Sequence, residues 1–302
     1  MREVLQKDLR QIQELVMDIF ALEDEISNVK RLGGMTNHTY AVEVKGKKLL
    51  VRLPGEGTEQ LLNRNDERIS NELASKIGVD TELIYFNSET GVKIASYIEK
   101  AVTMSPQSMR ESKNLKEAAE LFRTLHTCGQ DTKVPFEVFE IAEGYEKIIL
   151  EHGVELYPDY ADVRKAVMDM KREIDSYPCK KVPCHNDPLC ENWVRGTERM
   201  YLVDWEYAGM NDPMWDLADL SIEAEYGDHE DGLLLDIYFN GKVNNIEKLR
   251  FYANKIYLDF LWSLWGKTRV PYDGDEMEQY ALVRYQRLKK SLAVLSKRKE
   301  NI

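Results

Sequence analysis

Within the first third of the chain, the spacing of hydrophobic residues changes from that of a helix to that of a β-strand. Residues 4–22 place apolar side chains three and four positions apart, which predicts an amphipathic helix. Residues 40–53 alternate apolar and polar side chains around a Lys-Gly-Lys turn, which predicts a β-hairpin. A helix over residues 66–77, closed by Gly78, and a strand over residues 92–98 complete a small antiparallel sheet with one internal helix.

From Ser105 onward the pattern is mainly helical. Ser105 is a typical N-cap residue, and Pro106 suits the first helical position. Helices are predicted over residues 106–126, 160–177, 232–239, 245–266 and 276–297. The order of these elements predicts an α+β fold with two lobes: a small antiparallel β lobe over residues 1–98 and a larger, mainly helical lobe over residues 99–302.

Composition narrows the possible partners. The chain has 302 residues, with 41 Lys or Arg and 53 Asp or Glu, so its formal net charge is −12. Because nucleic acids and anionic membranes require a basic protein surface, neither is expected as a main partner. No apolar stretch reaches the ~20 residues of a transmembrane helix, and no secretory signal is recognisable. We expect a cytoplasmic enzyme that acts on small molecules, and the sequence leaves its oligomeric state open.

The four cysteines are Cys128, Cys179, Cys184 and Cys190, and they contain no C-x-x-C pair. Cys184, His185 and Cys190 are close in sequence, as zinc ligands often are. A structural zinc site needs a second ligand pair of similar spacing, however, and the sequence contains none. We therefore interpret the cysteines as small buried hydrophobic residues.

Residues 184–192, Cys-His-Asn-Asp-Pro-Leu-Cys-Glu-Asn, are rich in chemically active side chains, and Asp204 follows after a short apolar strand. Phosphoryl transfer from ATP requires a carboxylate that orients the acceptor hydroxyl, and oxygen ligands for Mg²⁺. Asp187 can supply the first, and Asn192 and Asp204 the second, in the H-x-D-x-x-x-x-N…D order of protein-kinase-like enzymes. Single Asp and Asn residues often only cap turns, but the fixed spacing of the whole set favours phosphoryl transfer.

The N-terminal lobe offers candidates for nucleotide binding. A loop of Gly33, Gly34, Met35, Thr36 and Asn37 would let backbone N–H groups approach phosphates, although an ordinary hairpin turn has the same composition. The sequence has no Walker A motif.

Arg52 lies inside an apolar strand, where a cation is unusual. In protein kinases a strand cation contacts the α- and β-phosphates and pairs with a helix glutamate, and Glu72 is the partner predicted here. Strand alternation could instead point Arg52 to solvent.

Residues 185–192 and 204–216 together resemble the choline/ethanolamine kinase family. Within it they resemble the bacterial LicA-type choline kinases, which supply phosphocholine for cell-surface glycoconjugates. The family signature combines H-N-D-x-x-x-x-N with D-[WF]-E-Y-[AS]-x-x-N-x-x-x-[WF]-D, and residues 185–192 and 204–216 match both. The resemblance runs from the glycine-rich loop to the Trp-Ser-Leu-Trp element at 262–265 and so covers nearly the whole chain. Aminoglycoside phosphotransferases share the first block but usually lack the second.

The resemblance implies ATP and Mg²⁺ as cosubstrate and cofactor, and it implies roles for individual residues. Asp187 would be the catalytic base, with Asn192 and Asp204 as catalytic metal ligands and Glu206 near the metal. The implied ATP-binding residues are Gly33, Gly34, Met35, Thr36, Asn37, Arg52, Glu72 and the hinge residues Ser96, Tyr97 and Ile98. His185 and Asp216 would support the catalytic loop.

Choline has a quaternary ammonium group without N–H donors, so its pocket needs aromatic faces and a carboxylate. Trp262 and Trp265 share one face of a predicted helix, where they also fit an ordinary core stripe. The resemblance favours an aromatic cage, and Leu189, which replaces a Gln of many eukaryotic members, favours choline over ethanolamine. The implied choline-binding residues are Asp187, Tyr207, Glu223, Trp262, Trp265 and Tyr280.

We therefore predict an ATP-dependent choline kinase. Ethanolamine kinase and aminoglycoside-type phosphotransferase are the enzymatic alternatives, and the latter would line its acceptor site with several carboxylates. A catalytically silent sensor of nucleotide or choline is the non-enzymatic alternative. The intact Asp187, Asn192 and Asp204 argue against a silent fold.

Overall fold

The computed structural model of the chain describes residues 6–21, 26–33, 37–55 and 63–299. Contacts divide it into two compact units. The first unit contains the residues up to 104 together with residues 191–208, and the second contains residues 105–190 together with those from 209 onward. This division differs from the single boundary predicted after residue 98, because residues 193–195 pair with residues 102–103 and so bring the hairpin at 193–202 into the first unit.

The described residues form ten strands and ten α-helices. In chain order they are α1 (Gln6–Phe20), β1 (Ser27–Gly33), β2 (Asn37–Val44), β3 (Lys47–Pro54), α2 (Arg64–Lys76), β4 (Leu83–Phe86), β5 (Lys93–Ser96), β6 (Val102–Thr103), α3 (Pro106–Met109), α4 (Ser112–His126), α5 (Val138–Glu151), α6 (Tyr160–Ile174), β7 (Val182–Cys184), β8 (Trp193–Arg195), β9 (Met200–Leu202), β10 (Gly209–Asn211), α7 (Pro213–Glu223), α8 (Asp228–Tyr238), α9 (Asn245–Asp273) and α10 (Asp275–Lys299).

The first unit contains an antiparallel five-stranded sheet with the order β1-β2-β3-β5-β4. The predicted hairpin is confirmed as β2 and β3, which are joined by Lys45 and Gly46, both with positive φ, as a tight hairpin turn requires. Ile12 and Val16 of α1 belong to the hydrophobic core of this sheet. A second sheet, in the order β6-β8-β9, brings residues 193–202 beside residues 102–103.

The second unit is mainly helical, as predicted, and its two strands β7 and β10 pair antiparallel. The helix predicted over residues 106–126 is divided into α3 and α4. The Asn114 side chain donates to the Ser108 carbonyl at 2.8 Å and so occupies an acceptor that a continuous helix would use. Helices α5 and α7 were not predicted. The first follows a loop without a start signal, and the second begins within residues 182–219, where apolar residues follow neither a helical nor a strand period.

Helix α9 continues past Gly266, where the sequence predicted its end. A Cβ atom at Gly266 would lie 2.8 Å from Cδ1 of Tyr280 and 3.0 Å from Cβ of Ala281. The glycine therefore permits close packing of α9 against α10 and does not end the helix. No helix in the described part of the chain is long and apolar enough to cross a bilayer.

Candidate active site

The backbone that precedes Asp187 is held by Asp216, at the start of α7. The N–H groups of His185 and Asn186 donate to Oδ2 and Oδ1 of Asp216, both at 2.8 Å. His126 Nε2 lies 3.0 Å from Oδ2 of the same carboxylate, and Tyr238 Oη lies 2.9 Å from His126 Nδ1. Asp216 is fully buried. Its carboxylate is thus occupied by the fold, which is the arrangement expected of a residue that supports the loop.

Asn211 and Trp215 hold the same loop, although the sequence analysis gave them no role. Nδ2 of Asn211 donates to Oδ1 of Asn186, and Nε1 of Trp215 donates to the Asn186 carbonyl, both at 3.0 Å. Asn186 has a φ of +67°, a conformation that Asn tolerates better than most residues. The N-x-x-x-W-D spacing therefore has a physical explanation, because each of its three specified residues contacts the backbone or side chain next to Asp187.

Asp187 itself is half-buried. Its N–H donates to Nδ1 of His185 at 3.3 Å, and its carbonyl accepts from the N–H of Leu189 at 2.9 Å. Burial raises the pKa of Tyr145 on α5, and the charge of Asp187 raises it further. Tyr145 therefore lies near the predicted base, and only the fold could show this, because α5 was not predicted.

In the first unit, Asn192 and Asp204 flank the β8–β9 hairpin. Trp193 pairs with Leu202, and the Val203 N–H donates to the Asn192 carbonyl at 2.9 Å, so the two predicted metal ligands lie at the same end of the hairpin. Asp204 has a φ of +71°. The next residue, Trp205, fixes this turn, since its Nε1 donates to Oδ2 of Asp80 and to the Leu202 carbonyl, both at 3.2 Å.

Glu206 adds a second carboxylate to this end of the hairpin. Burial and the charge of Asp204 raise the pKa of Glu206 to about 7, while the Arg52 guanidinium opposes that shift. Nδ2 of Asn37 donates to Oε2 of Glu206 at 3.5 Å. Carboxylate and amide oxygens are the ligands that Mg²⁺ prefers. The donor set of Asn192, Asp204 and Glu206 therefore fits magnesium.

The predicted ion pair between Arg52 and Glu72 is wrong. Arg52 donates through Nη2 to Glu67 and to the Gly91 carbonyl, the latter at 3.2 Å, and through Nη1 to Asp204 at 3.4 Å. Glu72 is half-exposed and pairs with Arg68, one turn away on α2. Both glutamates lie on the predicted helix, but only Glu67 is on its buried face, and the sequence pattern did not separate the two faces here.

Glu67 is bound by two arginines. Its Oε2 accepts from Nη1 of Arg64 at 2.7 Å while its Oε1 accepts from Arg52, and all three side chains are buried. Gly91 permits this packing, because a Cβ there would lie 2.7 Å from Nε of Arg64. Arg52 is therefore held inward, and the alternative that it points to solvent is excluded.

The other predicted ATP-binding residues lie at strand ends of the first unit. Gly33 ends β1 and pairs with Thr39, and Asn37 begins β2. Residues 34–36 of the glycine-rich loop lie outside the described residues. At the predicted hinge, the Ser96 N–H donates to the Glu82 carbonyl at 2.9 Å, and Nζ of Lys48 lies 5.6 Å from the ring centroid of Tyr97. Ile98 is buried.

In the second unit, three of the predicted choline-binding rings form one cluster. The ring centroids of Trp262 and Trp265 are 6.2 Å apart at 87°, and those of Trp265 and Tyr280 are 5.7 Å apart at 75°. The first contact lies within α9, and the second joins α9 to α10. Trp262 is buried, whereas Trp265 and Tyr280 are half-buried. Tyr207 is half-buried and belongs to the first unit.

The predicted choline carboxylate, Glu223, already has a cationic partner. Nη2 of Arg284 donates to Oε1 of Glu223 at 2.6 Å, and the guanidinium carbon of Arg284 lies 4.9 Å from the ring centroid of Tyr280. Asp259 accepts two hydrogen bonds from Arg287, at 2.8 and 2.6 Å. The sequence analysis identified neither arginine nor Asp259.

Among the described residues, a buried group of possible metal ligands comprises His126, Cys184 and Asp216. Both nitrogens of His126 and both oxygens of Asp216 are engaged in hydrogen bonds. Burial also raises the pKa of the Cys184 thiol well above its usual value, which disfavours the thiolate that a metal would need. We interpret this group as support for the catalytic loop.

In the second unit, Asp216 holds the loop that carries Asp187. In the first unit, oxygen donors that suit Mg²⁺ lie beside the buried Arg52. These features are typical of one class of protein, the phosphotransferases of protein-kinase-like fold. Within that class, the family model for choline/ethanolamine kinases matches residues 29–284, and the chain belongs to this family. It is therefore a phosphotransferase whose acceptor is an alcohol group, as the sequence predicted.

Comparison with individual proteins gives the same family. The chain is 28% identical to Protein LicA of Haemophilus influenzae over 258 residues, which cover 83% of this chain and 96% of LicA. It is 33% identical to the choline kinase LicA from Streptococcus pneumoniae, with a TM-score of 0.81 over 96% of this chain and 100% of that structure. A LicA complex with AMP gives a TM-score of 0.80 at 33% identity, with the same coverage. A spectinomycin phosphotransferase, 14% identical with a TM-score of 0.62 over 95% of this chain and 98% of that one, shares the fold. The predicted family and fold class are confirmed.

Proposed function

We propose that the chain transfers the γ-phosphoryl group of ATP to the hydroxyl of choline, which yields phosphocholine and ADP. The observation that carries this proposal is the edge-to-face cluster of Trp262, Trp265 and Tyr280. Aromatic faces attract a quaternary ammonium group, which has no N–H donor and is cheap to desolvate. A primary ammonium such as that of ethanolamine needs hydrogen-bond acceptors instead.

The charges around this cluster also suit a cation. Burial raises the pKa of Tyr280, and the negative charges of Glu223, Asp187 and Asp219 raise it further. Together with Asp259, these residues supply four carboxylates to the region, whereas Arg284 and Arg287 supply only two guanidinium groups. The excess of negative charge favours a positively charged acceptor. Because it would also suit an aminoglycoside, acceptor identity requires a direct test.

For the reaction, we assign to Asp187 the role of accepting the proton of the choline hydroxyl. As that oxygen forms its bond to the γ-phosphorus, the bond from phosphorus to the bridging oxygen breaks and ADP leaves. Asp216 accepts hydrogen bonds from the two backbone N–H groups that precede Asp187 and so fixes the backbone there. The carboxylate of Asp187 is therefore positioned before the substrate binds.

Asn192, Asp204 and Glu206 would hold magnesium, which neutralises phosphate charge when bound. Arg52 would contribute a fixed positive charge beside Asp204, and its pairing with Glu67 holds it there. The LicA complex with AMP supports an adenine nucleotide as donor. Because the reaction consumes ATP, we place the enzyme in the cytoplasm, and the LicA-type resemblance supports cell-surface glycoconjugates as the destination of phosphocholine.

A coupled assay of ADP release tests this function with choline, ethanolamine and several aminoglycosides as acceptors. We expect choline to be preferred over ethanolamine by about 10–200-fold in kcat/KM, the range that a few methyl groups produce in an apolar pocket. Equal use of ethanolamine would contradict the aromatic cage, and preference for an aminoglycoside would replace choline as the acceptor. ATP binding without turnover of any acceptor would favour the silent sensor.

Two variants test whether Trp265 belongs to the choline pocket. Trp265→Ala should raise the KM for choline while kcat changes little, because a headgroup site binds the ground state and the transition state equally. Tyr272→Ala is the matched control, since Tyr272 lies on the same helix but is 65% exposed. Equal effects of both substitutions would remove Trp265 from the pocket.

A further inference from the structure

Asp219, on α7, is a buried carboxylate that the fold leaves without a partner. Its relative exposure is 0%, and neither of its oxygens accepts a hydrogen bond from any described residue. A buried carboxylate costs several kcal/mol unless it is paired, so proteins rarely retain one without a reason. The position had no role in the sequence analysis, and the reaction assigned above does not use it.

The surroundings of Asp219 add to this cost. Glu223 follows it by four residues on the same face of α7, an arrangement in which like charges destabilise a helix. Burial raises the pKa of Asp219, the charges of Glu223, Asp187 and Asp216 raise it further, and Arg284 opposes them. Asp219 therefore lies in the same group of charges as the predicted base and the predicted choline carboxylate.

Arg284, the cation that lowers the pKa of Asp219, already contacts other carboxylates. Arg284 pairs with Glu223 at 2.6 Å and approaches Asp259 at 3.7 Å, so much of the charge of Glu223 is neutralised by the protein itself. Helix α7 packs against α9, the helix that carries Trp262 and Trp265. Among the described residues of this region, Asp219 is thus the buried carboxylate that lacks a hydrogen-bond partner, and the region is the one whose aromatic rings suit a cation.

We propose that Asp219 binds the cationic headgroup of the acceptor and determines the preference of the enzyme for a charged over a neutral alcohol. The inference rests on the proposed function, because it assigns a residue to the acceptor site of that reaction. Glu223 then acts mainly through its ion pair with Arg284, which links the C-terminal end of α7 to α10. The guanidinium of Arg284 in turn packs on the ring of Tyr280. A bound headgroup supplies the partner that the fold withholds from Asp219.

The test compares choline with 3,3-dimethyl-1-butanol, in which a carbon atom replaces the nitrogen and removes the charge while the shape is kept. Both are assayed by ADP release with wild type and with Asp219→Asn, which has nearly the same shape as Asp219. We expect the variant to lose about 10–100-fold of its preference for choline over the neutral alcohol, as loss of one partly screened charge contact predicts. The KM for ATP should not change.

Asp231→Asn is the matched control. Asp231 is also a buried aspartate, but it pairs with Lys255 and Ser221 on α9 and α7. Its substitution removes a buried charge without a role in the acceptor site, so the preference for choline should stay at the wild-type value. If Asp219→Asn does not fold, as judged by its thermal unfolding, Asp219→Ser takes its place.

An unchanged preference in the Asp219 variant would overturn the proposal while the proposed function stands. An equal loss of activity on both alcohols would also overturn it, because it would show a structural role. Failure of wild type to phosphorylate choline would contradict the proposed function instead, so the two failures are distinguishable.

Discussion

Glu67 in the first unit and Asp219 in the second are both buried carboxylates, with exposures of 1% and 0%, but the fold treats them differently. Glu67 accepts hydrogen bonds from two buried arginines, whereas Asp219 has no hydrogen-bond partner among the described residues. Since an unpaired buried charge is costly, only the first arrangement is self-sufficient. If Arg52 contacts the nucleotide and Asp219 the acceptor, as proposed above, the protein prepares the first site by itself, while the ligand completes the second.

The largest effect is expected at Asp187, the half-buried carboxylate whose charge acts on Asp219. Asp187→Ala should lower kcat for choline by about 10²–10⁴-fold, because the acceptor hydroxyl loses its base. ATP affinity and the unfolding midpoint should stay close to wild type, since the clamp by Asp216 uses backbone N–H groups. Turnover within a few-fold of wild type would remove Asp187 from catalysis.

The next effect concerns stability in the first unit. Glu67→Gln should lower the free energy of unfolding by about 3–5 kcal/mol, because it removes the negative charge that both buried arginines, Arg52 and Arg64, contact. Glu72→Gln, on the same helix, is the control. Its ion pair with Arg68 is exposed, so its loss should cost at most about 1 kcal/mol.

Denaturant titrations of the two glutamine variants measure this difference directly. If Glu72→Gln were the more destabilising, the buried Arg52–Glu67 pair would not be what holds Arg52, and the contrast with Asp219 would disappear.

A smaller effect is expected where α9 and α10 touch. Gly266→Ala would bring a methyl group to 2.8 Å from Cδ1 of Tyr280, so the ring must move, at a cost of about 1–3 kcal/mol in overpacking. Because Tyr280 contacts Trp265, the KM for choline should rise while the KM for ATP does not. Gly232→Ala is the control, since a Cβ there meets nothing within 4 Å, and it should not lower stability. Equal KM values for choline in both variants would separate Tyr280 from the acceptor site.

The sequence predicted the fold class and the family. The spacing of Asp187, Asn192 and Asp204 and the hairpin at residues 40–53 were visible because each is a local pattern. The partner of Arg52 was not, because Glu67 and Glu72 lie on one amphipathic helix and burial alone distinguishes them. Asp219 could not be predicted for a similar reason: an aspartate in a helix normally faces solvent, and only packing shows that this one does not.

On the proposal above, Asp219 is left without a partner for the sake of a ligand, at the expense of stability. Its raised pKa means that the folded state favours the protonated form, so wild type loses stability as pH rises above about 4, the usual pKa of an aspartate in the unfolded chain, until the pKa of the folded state is passed. The groups that act on it are Glu223 and Asp216 of α7, Asp187 of the catalytic loop and Arg284 of α10.

The most direct measurement is the unfolding midpoint of wild type and Asp219→Asn between pH 4 and pH 8, with and without saturating choline. Without choline, we predict that the variant is the more stable protein at pH 8, by about 1–3 kcal/mol, and that the difference shrinks toward pH 4. With choline, wild type should gain more stability than the variant. A variant that is less stable than wild type without choline, or that gains as much from choline, would contradict the account.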